Sequence, residues 1–264
     1  MKKQEPIVQP PSDACATCPM HDASALKRLG VDMKNFDYVV ALAGNPNTGK
    51  STVFNSLTGL RQHTGNWPGK TVTRMEGGFE YAGLRYKLVD LPGTYSLLAT
   101  SEDELVARDF ILFGQPDVTL VVVDATRLER NLNLALQVSQ ITERAVLCLN
   151  LMDEAKRKGM HIDDRRLARD LGMPVVPMSA RQNEGIPELL GVIGEVAASN
   201  VRSKPYRVSY QSPQLRSSLS RLTEMIERSM PDLPNAEWVA LRLLDGDAAI
   251  TEALLNGELG EMRT

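Results

Sequence analysis

Short, mostly apolar runs recur along the chain up to about residue 200, at 38–43, 86–89, 118–123, 145–149 and 175–176. A run that is apolar on both faces predicts a strand covered on both sides, as in a parallel sheet, whereas strict alternation would predict a half-exposed one. Helical patterns fall between the runs. Residues 102–113 and 129–143 predict helices, and Ile186, Leu189, Leu190, Ile193 and Ala197 fall on one helical face. Segments 77–81 and 85–89 flank Ala82-Gly83-Leu84 and predict a hairpin that interrupts the alternation. The pattern therefore predicts an α/β fold with a doubly wound, mostly parallel sheet over residues 37–200.

Beyond residue 200 the strand signal stops. After a polar stretch with Pro205 and Pro213, Leu215, Leu219, Leu222 and Ile226 form one helical stripe. A second starts with Trp238, Leu241 and Leu244 after Pro234, and a third runs from Asp247 through Ile250, Leu254 and Leu255. A small all-helical domain is expected over 201–264. Residues 1–36 carry no sustained pattern, so a flexible leader is expected there, with a helical turn or two near 24–29.

Composition narrows the class. Hydrophobic residues make up 42% and charged residues 24%, and 30 Lys and Arg against 33 Asp and Glu leave a net charge of -3. That is a globular core without the basic surface of a nucleic-acid binder, so no nucleic-acid partner is expected. No apolar run approaches the roughly 18 residues that cross a bilayer. The prolines behind Lys2 and Lys3 do not make a signal peptide, and three cysteines suit a reducing compartment, so a cytoplasmic location is expected.

The candidate chemistry sits at the ends of the strands. Gly44-Asn45-Pro46-Asn47-Thr48-Gly49-Lys50-Ser51 matches G-x-x-x-x-G-K-[ST] between a strand and a helix that continues through Thr52. Its glycines let backbone N–H groups surround phosphate oxygens, Lys50 neutralises the terminal phosphates, and the Ser51 hydroxyl suits Mg²⁺. Asp90-Leu91-Pro92-Gly93 follows the second hairpin strand, where Asp90 can hold Mg²⁺ through water and the Gly93 N–H can meet a γ-phosphate. Asn150-Leu151-Met152-Asp153 ends the 145–149 strand. The Asp153 carboxylate can accept from the N1–H and exocyclic amine of guanine, a pair that adenine lacks, and the backbone of Ser179-Ala180-Arg181 would reach the guanine O6. The ordered series predicts a P-loop NTPase of the Ras-like G-domain type that prefers GTP to ATP.

Further segments make the chain similar to a known family. Asn45-Pro46-Asn47, then Gln62-His63-Thr64-Gly65-Asn66-Trp67-Pro68-Gly69-Lys70-Thr71-Val72, then Asp90-Leu91-Pro92-Gly93-Thr94-Tyr95-Ser96-Leu97 resemble bacterial ferrous iron transport protein B. The stretch from Gly65 to Val72 is the most specific of these. Ser101-Glu102-Asp103-Glu104 and Val106-Ala107-Arg108-Asp109 also fit, and 238–247 resembles the family's helical spacer. The resemblance covers about 38–260. It implies a cytoplasmic GTPase with a spacer that inhibits nucleotide dissociation, placed before a polytopic membrane permease domain. It leaves room for homo-oligomers.

The resemblance also implies that Thr71 joins Ser51 and Asp90 around Mg²⁺, with Gly69 and Lys70 beside the nucleotide. Asn47 would hold K⁺ together with the carbonyls of Gly65 and Trp67. Asn47, Lys50, Thr71 and Gly93 then carry catalysis, through charge neutralisation and positioning. Ras-like enzymes place a glutamine directly after D-x-x-G, where this chain has Thr94, so backbone groups of Thr71 and Gly93 would orient the water. Two rival readings are a soluble GTPase of ribosome or RNA maturation and a nucleotide-dependent binding module without useful hydrolysis.

Other residues stay open. Cys15-Ala16-Thr17-Cys18 with His21 reads as an unstructured thiol pair, a metal site or a redox pair. Cys148 reads as a buried small hydrophobe. His63 and Trp67 read as covers over the nucleotide, with Trp67 a candidate mobile lid outside the core. Glu102, Asp103 and Glu104 read either as a solvated first helical turn or as iron ligands.

Overall fold

A computed structural model describes residues 23–59, 62–98, 101–204, 212–231, 233 and 235–256. Cys15, Cys18, His21, Pro205 and Pro234 lie outside the described residues. Seven strands form one sheet in the order β2-β3-β4-β1-β5-β6-β7. These are β1 (Tyr38–Gly44), β2 (Gln62–Asn66), β3 (Thr73–Tyr81), β4 (Leu84–Asp90), β5 (Val118–Asp124), β6 (Ala145–Asn150) and β7 (Val175–Pro177). β1 runs parallel to β4 and β5, β5 to β6 and β6 to β7, while β2, β3 and β4 form an antiparallel flank.

Each apolar run divides its side chains between two cores. Val39, Ala41 and Ala43 of β1 face one, with Val121 and Val123 of β5; Val40 and Leu42 face the other, with Leu120 and Val122. The first core is closed by α3 (Glu102–Phe113) and α4 (Leu128–Ile141), and the second by α2 (Lys50–Thr58) and α7 (Ile186–Ala197). Burying such a side chain fully stabilises the fold by about 1.5–3 kcal/mol, which is why runs without alternation become central strands. The short helices α5 (Met152–Arg157) and α6 (Asp164–Leu171) lie between β6 and β7.

The hairpin forms as expected, with a tighter turn. Tyr81 pairs directly with Leu84, and Ala82 and Gly83 both have positive φ, 51° and 80°. That is the two-residue turn whose twist matches the strands. Beyond residue 200, α8 (Pro213–Ser229), α9 (Ala236–Leu244) and α10 (Ala248–Leu255) form the expected helices. Their apolar residues Leu219, Ile226, Trp238, Val239 and Ile250 belong to the same core cluster as α3 and α4.

The helical turn or two expected near 24–29 forms as α1 (Ala23–Arg28), and Leu26 and Val31 are buried in the core cluster with α3. Two well-spaced apolar side chains suffice for this, because the sheet and α3 supply the rest of the surface. The 62–66 segment, which lies in none of the apolar runs, is the edge strand β2, whose residues are all exposed. Backbone pairing to β3 holds it, with Gln62 opposite Gly77 and Asn66 opposite Thr73.

Candidate functional site

The loop from β1 into α2 has a backbone that few residues tolerate. Asn47 and Gly49 have φ of 66° and 84°, and a Cβ on Gly49 would collide with the Asn150 amide. A Cβ on Gly44 would stand 2.7 Å from the Val122 carbonyl oxygen. Both positions therefore need glycine. The α2 N-terminus has no side-chain cap, so its first-turn N–H groups and partial positive charge face the cradle of the loop, an arrangement fit for phosphate. Inside the loop the Thr48 hydroxyl donates to the Asn45 carbonyl at 2.9 Å, and the buried Asn45 carboxamide has no partner among the described residues.

Lys50 extends across to the end of β4. Its ammonium pairs with the Asp90 carboxylate and donates to the Leu91 carbonyl at 2.8 Å. Burial pushes the Asp90 carboxyl above its ordinary value, and the Lys50 charge opposes that shift. After Asp90 the chain turns back onto the loop. The Thr94 N–H donates to the Gly44 carbonyl at 3.3 Å, and Gly93 lies so close to Pro46 that a Cβ there would touch it at 3.5 Å.

Asn150, at the end of β6, ties three loops together. Its Nδ2 donates to the Thr48 carbonyl at 3.0 Å, and its Oδ1 accepts from the Ala180 N–H at 3.0 Å. Leu151 takes a left-handed backbone, φ 63°, which starts α5 and swings Asp153 beside Ser179. The Asp153 N–H donates to the Ser179 hydroxyl oxygen at 3.2 Å. The Asp153 carboxylate is near Gln182 Nε2 at 3.5 Å and Arg157 at 3.8 Å, and edges an open cleft of about 640 Å³ lined also by Lys156, Arg181 and Glu184.

The structure thus brings together residues 44–51, 90–94, 150–153 and 179–181. It holds the 62–72 segment differently. Thr71 Oγ1 donates to Glu102 at 3.0 Å, and Gly65 pairs with Arg74 in the sheet. The Trp67 carbonyl accepts from the Lys70 N–H at 3.0 Å, within a turn containing Gly69 at φ 68°. The reading of Trp67 as a lid outside the core is corrected. It is buried, its indole meets Phe110 edge-on at 5.5 Å, and the Arg74 guanidinium covers it at 5.5 Å. A large aromatic ring gains more from this apolar seat than from water. Its indole N–H has no partner among the described residues.

Sequence reasoning missed the polar side chains that hold Thr94–Leu97. The Gln137 Oε1 on α4 accepts from the Leu97 N–H at 2.6 Å and from the Ser96 hydroxyl at 3.2 Å. Such a contact spans some forty residues and leaves no local signal. Among the described residues no group of three His, Cys, Asp or Glu stands ready to hold a metal, and no helix is long and apolar enough to cross a membrane.

Comparison with known proteins agrees with this geometry. The family profile described as Ferrous iron transport protein B matches residues 38–193. The Fe(2+) transporter FeoB of Salmonella typhimurium is 42% identical over 213 residues, 79% of this chain and 27% of that protein. A Fe(2+) transport protein A/FeoB fusion protein of Porphyromonas gingivalis is 37% identical over 244 residues, 89% of this chain and 29% of its own length. The chain therefore spans less than a third of these relatives. Among solved structures, the cytosolic domain of Thermotoga maritima FeoB in a GDP form superposes with a TM-score of 0.74 at 38% identity, covering 84% of this chain and 85% of that one. The cytosolic domain of Legionella pneumophila FeoB gives 0.74 at 35% identity, covering 84% and 86%. With the family profile matching more than half of the chain and a relative 42% identical over 79% of it, the chain belongs to the ferrous iron transport protein B family and carries its P-loop G domain.

Proposed function

We propose that the chain is a GTP-hydrolysing switch that regulates ferrous iron uptake by a polytopic membrane permease domain, working at the cytoplasmic face of a bacterial inner membrane. The observation that carries this reading is Asn150, which joins the phosphate loop at Thr48 to the base-side loop at Ala180 and leaves Asp153 at the edge of the cleft. Its support also includes the T. maritima relative, whose structures are described in GDP and GMPPNP forms. The G domain would extend over 37–200 with 23–36 packed onto it, and 201–264 would be its spacer.

In this reading Asp153 accepts from guanine N1–H and the exocyclic amine, while the 179–181 backbone meets O6. Lys50 leaves Asp90 to neutralise phosphate oxygens. Water attacks the γ-phosphorus in line, the bond to the β,γ-bridging oxygen breaks, and GDP and inorganic phosphate leave. Ser51 and Asp90 would hold Mg²⁺, and Thr71 would join them after releasing Glu102. Bound Mg²⁺ supplies charge neutralisation on the β- and γ-oxygens. Asn47, at the rim of the loop, would hold K⁺ with the carbonyls of Gly65 and Trp67 once the 62–72 segment rearranges. Such an ion supplies the positive charge that an arginine finger provides elsewhere.

The test is GTP turnover in matched K⁺ and Na⁺ buffers. The native protein should turn over faster in K⁺ by about tenfold or more, and Asn47→Ala should lose the difference. No hydrolysis in either salt would overturn the enzymatic reading. Equal rates would remove potassium, and a potassium response that survives in Asn47→Ala would remove its ligand.

A further inference from the structure

The segment after Gly93 has no regular secondary structure, yet it is fixed at several points. Thr94 is buried, and its N–H is bonded to the P-loop carbonyl of Gly44. Its hydroxyl donates to the Ser96 carbonyl at 2.7 Å and accepts from the Ser96 N–H at 3.2 Å, a closed Ser/Thr turn. The hydroxyl is therefore committed inward, to the backbone two residues on.

The outer side of this turn is held by one helix. Arg130 and Gln137 stand seven residues apart on α4, and so on one face. The Arg130 guanidinium lies over the Tyr95 ring at 4.5 Å. The single oxygen Gln137 Oε1 receives both the Ser96 hydroxyl and the Leu97 N–H. Leu97 itself is buried, so its N–H would be costly to leave unpaired. A methionine at 137 would fill the same space and offer no comparable acceptor, whereas a glutamate would keep one.

We propose that Gln137 is a positioning residue for the hydrolytic reaction: by accepting from Ser96 and Leu97 it holds the 93–97 turn against the P-loop, which keeps the Gly93 N–H where a γ-phosphate would sit. This rests on the GTPase reading above. It assigns to α4, outside every nucleotide motif, the task of preorganising the backbone that replaces the missing glutamine at Thr94. A clamp of this kind acts on the triphosphate transition state and not on diphosphate affinity, because GDP has no γ-phosphate to meet Gly93.

The experiment compares the native protein, Gln137→Met and Gln137→Glu by amide hydrogen exchange without nucleotide, by GDP affinity and by GTP turnover. Gln137→Met should speed exchange of the Leu97 amide about tenfold or more, leaving β5 amides such as Val121 unchanged, and should lower kcat about tenfold with GDP affinity kept within about twofold. Gln137→Glu should restore both Leu97 protection and kcat. Unchanged Leu97 exchange in Gln137→Met overturns the clamp. Faster exchange with unchanged kcat, or a kcat loss that Gln137→Glu does not rescue, overturns the positioning role. If the native protein itself fails to hydrolyse GTP, the underlying reading falls, and the exchange data still judge the clamp on its own.

Discussion

Cys148 lies in the middle of β6 with no exposed surface, and burial pushes its thiol up to about 12. Only the thiolate is nucleophilic, so at pH 8 this cysteine is both shielded and protonated. In a Cys15→Ser/Cys18→Ser protein, labelling of the remaining thiol should be about a thousandfold slower natively than in denaturant, since it must wait for opening of the sheet. Rapid native labelling would contradict the burial. The motif residues were legible at this scale: Gly44, Asp90 and Asn150 end β1, β4 and β6, Gly49 and Lys50 open α2, and Asp153 lies in the first turn of α5. The state of their side chains was not. That Lys50 rests on Asp90 and Thr71 on Glu102 follows from which partners the fold brings near, and no spacing records it.

Among the elements, the strands that bury both faces were legible because their signal is composition itself. β2 was not, since Gln62–Asn66 is held by ladder hydrogen bonds to β3 while every side chain stays exposed. The helix α3 combines both kinds of signal. Ser101 caps it by accepting from the Glu104 N–H at 3.3 Å, and Glu102, Asp103 and Glu104 fill its first turn, where negative charge suits the helix dipole. Ser101→Ala should cost about 1 kcal/mol, read as a lower denaturation midpoint with an unchanged slope. An unshifted midpoint would mean that packing against Trp67 and α1 alone sets the start of α3.

At the scale of the whole molecule, α8–α10 are attached by a shared core and by polar contacts. Asn235 Nδ2 donates to the carbonyls of Gln140 at 2.7 Å and Ile141 at 3.1 Å, at the end of α4. The buried Arg108 of α3 reaches Asp247, the cap of α10, at 3.8 Å. Asn235 has φ 51°, so Asn235→Gly keeps the backbone and removes the carboxamide. It should lower stability by about 1–2 kcal/mol and speed GDP release while GTP turnover stays within about twofold. Unchanged GDP release would separate this joint from the nucleotide site. The central claim is that the chain is built around a guanine site, and equilibrium titration of GDP, XDP and ADP against the native protein and Asp153→Asn tests it most directly. The account predicts that the native protein prefers GDP by about a hundredfold or more, and that Asp153→Asn transfers the preference to XDP, because an amide donates where the carboxylate only accepts. A native protein that binds ADP as well as GDP, or an Asp153→Asn protein that still prefers GDP, would contradict it.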